Sequence, residues 1–250
     1  MPRSFFFSLS AICLAILSTV STTDAADIKV FCDGPLEPAL VRMIETFHRE
    51  SGHTVNFVFG LSPVLHKRVT DGEAGDLVIV QPNFIEGLVK AGKVVAGDHP
   101  VIARVSIGFM VRAGANAPDV STTEAVKQAL LKVDTLFLNN VATGNAFAKT
   151  IQSLGTEDAI RHKVVRVGPE EVTTRIVQGS GNDLGVGPTP LILANNHVKL
   201  AGVLRTELQT YILYAAAPMT HAQAPDAAQQ FIRFLGSPQA KAQFAAAEVN

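Results

Sequence analysis

Hydrophobic residues in the first third of the chain alternate between short β-forming runs and longer helical patterns. The runs Ile28–Phe31 and Val55–Phe59 are each followed closely by Gly, Ser or Pro, which favour turns. From Pro35 to about Glu50, apolar residues recur at the spacing of one helix face. The run Gly75–Val80 is again strand-like. This region therefore predicts two strand–turn–helix units followed by a third strand.

The alternation of strands and helices continues to the end of the chain. Arg104–Arg112 and Leu208–Ala216 are strand-like, and they bracket a middle block that restarts the strand–helix pattern. Such alternation is typical of parallel sheets, and the chain is long for one sheet. We therefore predict an α/β fold of two lobes, each a mostly parallel sheet flanked by helices, joined by two crossover strands. The predicted boundaries are 1–25 for a signal peptide, 26–105 with 207–250 for lobe 1, and 106–206 for lobe 2.

Polar turns lie between the ends of the predicted strands and the starts of the helices that follow them. Cys32–Pro35 follows the first strand and Gly60–Pro63 the second, with Ser62 as the predicted N-cap of the next helix. Asn139–Gly144 precedes a helix predicted over Asn145–Leu154. Ligands of α/β sheets bind at the carboxyl ends of strands, where unpaired N–H groups at helix N-termini suit anions. The two lobes are therefore expected to share one ligand cleft.

The first 25 residues have the layout of a secretory signal peptide. A basic start containing Arg3 precedes the apolar stretch Phe5–Val20, and Ser21–Ala26 supplies small residues for cleavage. An uncleaved membrane anchor is the alternative, but the apolar stretch is short for a bilayer span. We predict cleavage after Ala25 and export to the periplasm.

Composition argues against several classes of protein. The chain has 21 basic and 22 acidic residues, so it lacks the polybasic character that nucleic acids and anionic membranes attract. Hydrophobic residues make up 47% of it, which is enough for a packed core. Its histidines are scattered without metal-ligand spacing, and it has no phosphate-binding glycine loop. We expect no metal, no cofactor and no nucleic-acid partner.

After cleavage of the signal peptide, Cys32 would be the single cysteine of the chain. An internal disulfide is then impossible, so packing must supply the stability. The residue is either a reactive nucleophile or a small apolar residue at the end of a strand. No neighbouring His or Asn indicates a catalytic partner, so we prefer the structural interpretation.

Several short motifs resemble, in their order and spacing, those of one protein family. They are Ile28–Phe31, Phe59–Ser62, Gly72–Ile79, Thr143–Gly144, Glu171–Val172, Leu184–Val186 and Gly236–Ala240. The family is that of the periplasmic solute-binding proteins of ABC transporters, in its molybdate-binding-like branch with a type II periplasmic binding fold. The resemblance covers essentially the whole mature chain. It implies a two-lobed protein that closes on its solute and delivers it to a permease in the inner membrane.

In molybdate binders of this family, hydroxyls and backbone N–H groups from several turns hold the oxyanion. By this resemblance, Ser62 offers a hydroxyl, whereas Thr143 and Val172 offer backbone N–H groups. The predicted ligand-binding residues, drawn from the resemblance and from the polar turns, are Asp33, Gly34, Pro35, Leu61, Ser62, Thr143, Gly144 and Val172.

Three positions depart from a molybdate site. Pro35 stands in place of a ligand serine and offers neither hydroxyl nor N–H, and Pro188 lies near the expected position of a tyrosine. Asp33 would repel a dianion unless its carboxylate points away. These departures leave open a different small solute, such as an organic acid or another oxyanion.

Further polar residues are weaker candidates. Gln81 and the pair Asn139–Asn140 end predicted strands on the cleft side, and their amides both donate and accept hydrogen bonds. Arg175 lies one helical turn after Val172 and either reaches an anionic ligand or is a solvated surface residue.

The sequence thus predicts a monomeric periplasmic receptor without enzymatic activity. It would capture a small anion, either a molybdate-like oxyanion or an organic acid, and deliver it to an ABC permease. A periplasmic sensor without a transport role is an alternative. A periplasmic hydrolase or transferase that uses Cys32 is another.

Overall fold

The computed structural model describes residues 25–179, 181–205 and 207–249. The predicted signal peptide therefore lies outside the described residues, apart from Ala25. The helices are α1 (Glu37–Ser51), α2 (Ser62–Thr70), α3 (Pro82–Lys90), α4 (Thr123–Lys132), α5 (Ala142–Ser153), α6 (Glu157–Ile160), α7 (Glu171–Gln178), α8 (Thr189–Leu193), α9 (Pro225–Leu235) and α10 (Pro238–Ala246). The strands are β1 (Asp27–Asp33), β2 (Thr54–Gly60), β3 (Leu77–Val80), β4 (Val101–Val105), β5 (Ile107–Arg112), β6 (Leu136–Asn139), β7 (Val164–Val167), β8 (Leu184–Pro188), β9 (Val198–Val203) and β10 (Ile212–Pro218).

The strands form two five-stranded sheets flanked by helices. Their orders are β2-β1-β3-β10-β4 and β7-β6-β8-β5-β9. In each sheet the first three strands pair in parallel and the remaining two pairings are antiparallel. We refer to the first sheet with its flanking helices as lobe 1 and to the second as lobe 2. The fold is thus the two-lobed α/β architecture that the sequence predicts, although the sheets are mixed and not mostly parallel.

The predicted strand Arg104–Arg112 is divided at Ser106 into two strands that belong to different lobes. β4 pairs with β10, whereas β5 pairs with β8 and β9. At the break, the Ser106 hydroxyl donates to Thr189 Oγ1 over 2.9 Å, and the Ile107 N–H donates to Gln209 Oε1 over 2.9 Å. The prediction of one continuous strand was wrong, because the apolar alternation runs through the point at which the chain changes sheets.

Three other element boundaries differ from the predictions. Helix α5 begins at Ala142, so Thr143 and Gly144 lie in its first turn instead of in a preceding loop. Strand β10 begins at Ile212, later than the pattern predicts. Strand β9 was not predicted, since its pairing with β5 depends on a distant part of the chain.

Aromatic pairs contribute to the packing of both lobes. In lobe 1, the Phe47 ring of α1 meets the Phe231 ring of α9 edge to face, with centroids 4.9 Å apart. In lobe 2, Phe109 of β5 meets Phe147 of α5 at 5.2 Å. All four rings are buried, and each such pair contributes about 0.5–1.5 kcal/mol beyond its burial. The Phe109 contact anchors α5, whose N-terminus lies at the candidate site.

None of the helices in the described part of the chain combines the length and apolar character needed to cross a bilayer.

Candidate functional site

One cleft lies between the two lobes and has a volume of about 910 Å³. Lobe 1 contributes residues 33–35, 59–63 and Gln81 to its wall. Lobe 2 contributes residues 139–143 and 172–174, among others. These segments follow the carboxyl ends of strands, as expected for ligand sites in α/β sheets.

The cleft brings together most of the predicted site residues. Those on its wall are Asp33, Gly34, Pro35, Leu61, Ser62, Thr143 and Val172, together with Pro188. Gly144 lies behind the wall, where its N–H donates to Asn139 Oδ1 over 2.9 Å. A Cβ on Gly144 would lie 1.9 Å from the Asn139 carbonyl oxygen, so this contact requires glycine.

In lobe 1, the chain places its own carboxylate at a helix N-terminus. Asp33 ends β1, and its Oδ2 accepts two hydrogen bonds from Ser62, the first residue of α2. One comes from the Ser62 N–H over 3.0 Å and the other from its hydroxyl. Ser62 Oγ also accepts the Gln81 N–H over 3.2 Å. The Ser62 hydroxyl therefore donates its one proton within the protein.

The predicted N-cap role of Ser62 was wrong. The N-cap of α2 is Leu61, and the Ser62 side chain turns toward Asp33 instead of back toward the helix. The local sequence favours a serine cap, but a carboxylate in the adjacent strand offers the stronger, charge-assisted partner. Whether Ser62 contacts a ligand stays a prediction.

Burial sets the electrostatics of the lobe 1 wall. Desolvation raises the pKa of Asp33, and hydrogen bonds from Ser62, from the Gln81 side chain and from the Gly34 N–H oppose that rise. Tyr214 of β10 also lines the cleft, and burial followed by the Asp33 charge raises the pKa of its phenol well above the usual value. Tyr214 was not predicted as a site residue, because nothing in a single sequence places β10 in the same sheet as β1.

In lobe 2, helix α5 begins with unpaired N–H groups. Asn139 ends β6, and its Oδ1 accepts the N–H groups of Val141 (3.1 Å) and Gly144 (2.9 Å). Its Nδ2 donates to Thr143 Oγ1 over 2.5 Å, which leaves the Thr143 hydroxyl proton free to donate. The N–H groups of Ala142 and Thr143 have no acceptor among the residues that the structure describes.

A second helix N-terminus in lobe 2 also presents N–H groups that lack acceptors in the described part of the chain. Helix α7 begins at Glu171, whose carboxylate reaches back to accept the Gly168 N–H over 3.0 Å. The N–H groups of the next two residues, Val172 and Thr173, lack acceptors within the described ranges. Both residues line the cleft. Lobe 2 therefore presents two helix N-termini to one site, an arrangement that suits an anion.

Arg166 supports the positive character of this wall from behind. Its Nη1 donates to the Asn139 carbonyl over 2.7 Å and to Asn145 Oδ1 over 3.2 Å. Arg175, in contrast, pairs with Glu171 at 3.5 Å on the surface of α7 and is not part of the cleft wall. Arg175 is therefore a solvated surface residue, as the second interpretation holds.

The charged groups on the cleft wall are acidic. They are Asp33, Glu37 and Glu170, and no lysine or arginine among the described residues joins them. A second negative charge about 4 Å from the Asp33 carboxylate would cost about 4 kcal/mol at an effective dielectric constant of 20. The two helix N-termini of lobe 2 offer the positive potential that an anion needs, whereas the Asp33 carboxylate opposes an anion at lobe 1.

Neither metal binding nor nucleophilic chemistry by Cys32 is supported at the cleft by the described residues. Within residues 25–179, 181–205 and 207–249, no three His, Cys, Asp or Glu side chains come together as a metal site. Cys32 is fully buried, is absent from the cleft wall, and has a thiol whose pKa burial raises well above its usual value. It packs as a small apolar residue, and such a thiol is a poor nucleophile.

Comparison with solved structures shows the fold. The chain is similar to the periplasmic molybdate-binding protein of Azotobacter vinelandii, with a TM-score of 0.73, 18% identity, and coverage of 89% of this chain and 98% of that one. It is also similar to the sulfate-binding protein of Mycobacterium tuberculosis, with a TM-score of 0.67, 23% identity, and coverage of 90% and 86%.

Sequence comparison gives one named relative and the family. An aconitate isomerase from a Pseudomonas species is 22% identical over 241 residues, which cover 94% of this chain and 92% of that protein. Residues 28–247 match the bacterial extracellular solute-binding proteins along nearly the whole described chain. The chain therefore belongs to the family of bacterial extracellular solute-binding proteins.

Proposed function

We propose that the protein is a periplasmic receptor that captures a small organic acid and delivers it to an ABC importer. The observation that carries the proposal is the pair of helix N-termini in lobe 2. Four N–H groups there, those of Ala142, Thr143, Val172 and Thr173, have no acceptor among the described residues and belong to one cleft wall. A carboxylate, with two acceptor oxygens, matches such a set of donors.

Two features favour an organic acid over a molybdate-like oxyanion. The Asp33 carboxylate already takes the anion position at the N-terminus of α2, so lobe 1 offers no second anion site there. The cleft volume of about 910 Å³ falls near the upper end of the ~300–1,000 Å³ range of clefts that hold drug-sized ligands. The cleft therefore has room for a solute larger than a tetrahedral oxyanion, with its charge toward lobe 2.

Closure of the lobes around the solute would signal that the receptor is loaded. The chain crosses between sheets at Ser106 and again between β9 and β10, and these two connections act as the hinge. A solute in contact with both lobes stabilises the closed form by its differential affinity for that form. The receptor acts as a monomer after removal of residues 1–25, and its partner is the permease.

A thermal-shift screen of the mature chain tests this function. The panel comprises organic acids, amino acids, phosphonates and the oxyanions molybdate, tungstate and sulfate. A ligand at 100 times its dissociation constant adds about 2.7 kcal/mol of stability, which raises the Tm by roughly 5–11 °C at this chain length. We expect the shift from organic acids. A shift from oxyanions alone would overturn the proposal.

The aconitate isomerase relative favours a second function for the same cleft. Asp33 supplies a carboxyl group on the wall, and burial moves its pKa toward neutral pH, as suits a general base. In such a reaction the carboxylate takes a proton from the carbon beside one carboxyl group of an unsaturated acid. It then returns a proton to the far end of the allylic system while the double bond moves.

Proton exchange separates this activity from simple binding. The mature chain is incubated with cis- or trans-aconitate in D2O, and isomer content and deuterium incorporation are followed by NMR. An isomerase gives both isomers with deuterium at carbon, and Asp33→Asn abolishes this while Asp71→Asn, at the other end of α2, retains it. A receptor binds the acid and returns it unlabelled.

A further inference from the structure

Three polar residues of the lobe 1 cleft wall satisfy one another. The carboxylate of Asp33, which is 3% exposed, accepts the N–H and the hydroxyl of Ser62. It also accepts hydrogen bonds from the Gln81 side chain and the Gly34 N–H. The Ser62 hydroxyl in turn accepts the Gln81 N–H over 3.2 Å. A ligand therefore has little to gain from polar contacts with the cluster of Asp33, Ser62 and Gln81.

Most other side chains that lobe 1 places on the cleft wall are apolar. They are those of Pro35, Phe59, Leu61, Pro63 and Phe84. The exceptions are Glu37 and Asn83, which are exposed and keep their hydration, and Tyr214, which is 2% exposed. The surface that lobe 1 offers to a ligand is therefore largely apolar.

Three of these apolar side chains are only half-buried, those of Phe59, Leu61 and Phe84. Phe59 stacks on Phe57 with ring centroids 5.0 Å apart, and Phe84 packs against His66 at 5.7 Å, so both rings are held in place. Leu61 belongs to none of the hydrophobic clusters that the described residues form. All three line the cleft, so a ligand there can cover the apolar surface that the protein leaves open.

The two lobes thus offer different chemistry to the two ends of a ligand. Lobe 2 presents the N–H groups at the N-termini of α5 and α7, which suit a carboxylate. Lobe 1 presents apolar surface beside the Asp33 carboxylate, which already has its donors. Burial of a second, unpaired charge at lobe 1 is strongly unfavourable, whereas burial of apolar surface is favourable.

We propose that lobe 1 recognises an apolar group and that the solute is a monocarboxylic acid with an aliphatic or aromatic body. Its carboxylate binds the N-termini of α5 and α7, and its apolar body packs against Phe59, Leu61 and Phe84. This assignment rests on the proposed function, which places the carboxylate at lobe 2. It adds the part of the solute that lobe 1 selects.

Calorimetric titration of the mature chain with acids of increasing length tests the assignment. Acetate, butyrate and hexanoate share one carboxylate and differ only in their methylene groups. Burial of one methylene group is worth about a fourfold gain in affinity. We therefore expect the affinity to rise by about 10–20-fold at each step of the series.

Polar acids of similar size are the comparison. Succinate has the chain length of butyrate but ends in a second carboxylate, and malate adds a hydroxyl to succinate. Both keep a carboxylate for lobe 2, so we expect both to bind there. Their affinities should be lower than that of butyrate by about tenfold or more, because the second carboxylate finds no partner at lobe 1.

Two variants locate the apolar contact. Leu61→Asn and Phe84→Asn each replace an apolar side chain of the wall with a polar one. Leu193→Asn is the matched control, because Leu193 is exposed and is absent from the cleft wall. The readout is the affinity ratio of hexanoate to acetate within each variant, which a smaller folded fraction does not alter. The ratio should fall by about fourfold or more in the two cleft variants and stay unchanged in Leu193→Asn.

The outcomes distinguish this assignment from the proposed function. If hexanoate binds no more tightly than acetate, or succinate binds more tightly than butyrate, the apolar assignment fails while the carboxylate site stands. If no acid binds but molybdate does, both fail. A dependence on chain length that survives both Leu61→Asn and Phe84→Asn places the apolar group elsewhere and also overturns the assignment.

Discussion

The N-terminus of α2 in lobe 1 and that of α5 in lobe 2 both lie at the cleft. They differ in the charge of the side chain that accepts their first N–H groups. At α2, the charged carboxylate of Asp33 accepts the N–H and hydroxyl of Ser62. At α5, the neutral amide of Asn139 accepts two N–H groups and leaves those of Ala142 and Thr143 unpaired. A carboxylate neutralises the helix dipole, whereas an amide leaves its positive end in place.

The contrast shows how two lobes of similar topology come to present different chemical groups to one cleft. Both sheets place a short strand, a turn and a helix at the cleft, yet one residue at the end of the strand decides the charge that each wall presents. Asp33 makes lobe 1 an acceptor, and Asn139 makes lobe 2 a donor. Family membership and fold do not reveal this difference.

The largest expected effect comes from the packing beneath α5. Gly144→Ala brings a Cβ to 1.9 Å from the Asn139 carbonyl oxygen, so backbone must shift. We expect a loss of about 3 kcal/mol and a fall in Tm of roughly 6–12 °C. Gly34→Ala is the lobe 1 counterpart, with nothing within 4 Å of the new methyl group. Equal melting temperatures for the two variants would show that α5 does not depend on this contact.

Two variants, each of which removes one hydroxyl, compare the strength of the hydrogen bonds within the two lobes. Ser62→Ala leaves the buried Asp33 carboxylate short of a donor, which costs about 1.5–3 kcal/mol. Thr143→Val removes a neutral acceptor of Asn139 Nδ2 and costs about 0.5–1.5 kcal/mol. Urea denaturation measures both. If Thr143→Val is the more damaging, the charge-assisted bond of lobe 1 is weaker than its geometry indicates.

Much of this contrast could not be predicted from the sequence. Periodicity and turn residues placed the strand ends and therefore most of the cleft wall, because those signals are local. The partner of Ser62 could not be predicted, since a hydroxyl that caps its own helix and one that binds a distant carboxylate look alike in sequence. Tyr214 was missed because the sequence does not show which strands share a sheet, and the break at Ser106 because alternation does not record a change of sheet.

Proline at the first position of α5 deletes one open N–H without disturbing the helix. Ala142→Pro is compatible with this position, and Val141 before it has the extended backbone that a following proline requires. We expect stability within about 0.5 kcal/mol of wild type and a 10–150-fold loss of affinity for organic acids. Thr123→Pro, at the first position of α4 away from the cleft, is the control. Unchanged affinity in Ala142→Pro would exclude that N–H from ligand binding.

A change of pH is expected to have a smaller effect on the free energy of unfolding. Because burial raises the pKa of Asp33 above its usual 3.8, the folded protein binds more protons than the unfolded chain between these two values. Stability from this group therefore falls as pH rises through that window. Glu73 acts in the opposite sense, because its hydrogen bond to Arg68 lowers its pKa to about 2 and its contribution is lost as pH falls.

The difference in unfolding free energy between wild type and Asp33→Asn, followed against pH, separates the contribution of Asp33 from that of Glu73. We expect the unfolding free energy of wild type, relative to this variant, to rise as pH is lowered from about 7 to about 4. Urea titrations at several pH values measure it. A difference that is flat, or that falls toward low pH, would mean that the Ser62 hydrogen bonds outweigh burial.

The amide resonances of the cleft report most directly on where the acid binds. In a two-dimensional nitrogen–proton spectrum of the mature chain titrated with malate, the amides of Ala142, Thr143, Val172 and Thr173 should shift downfield as they gain an acceptor. The Ser62 amide, already bonded to Asp33, should move little. A titration that moves Ser62 and leaves the four lobe 2 amides in place would contradict the account.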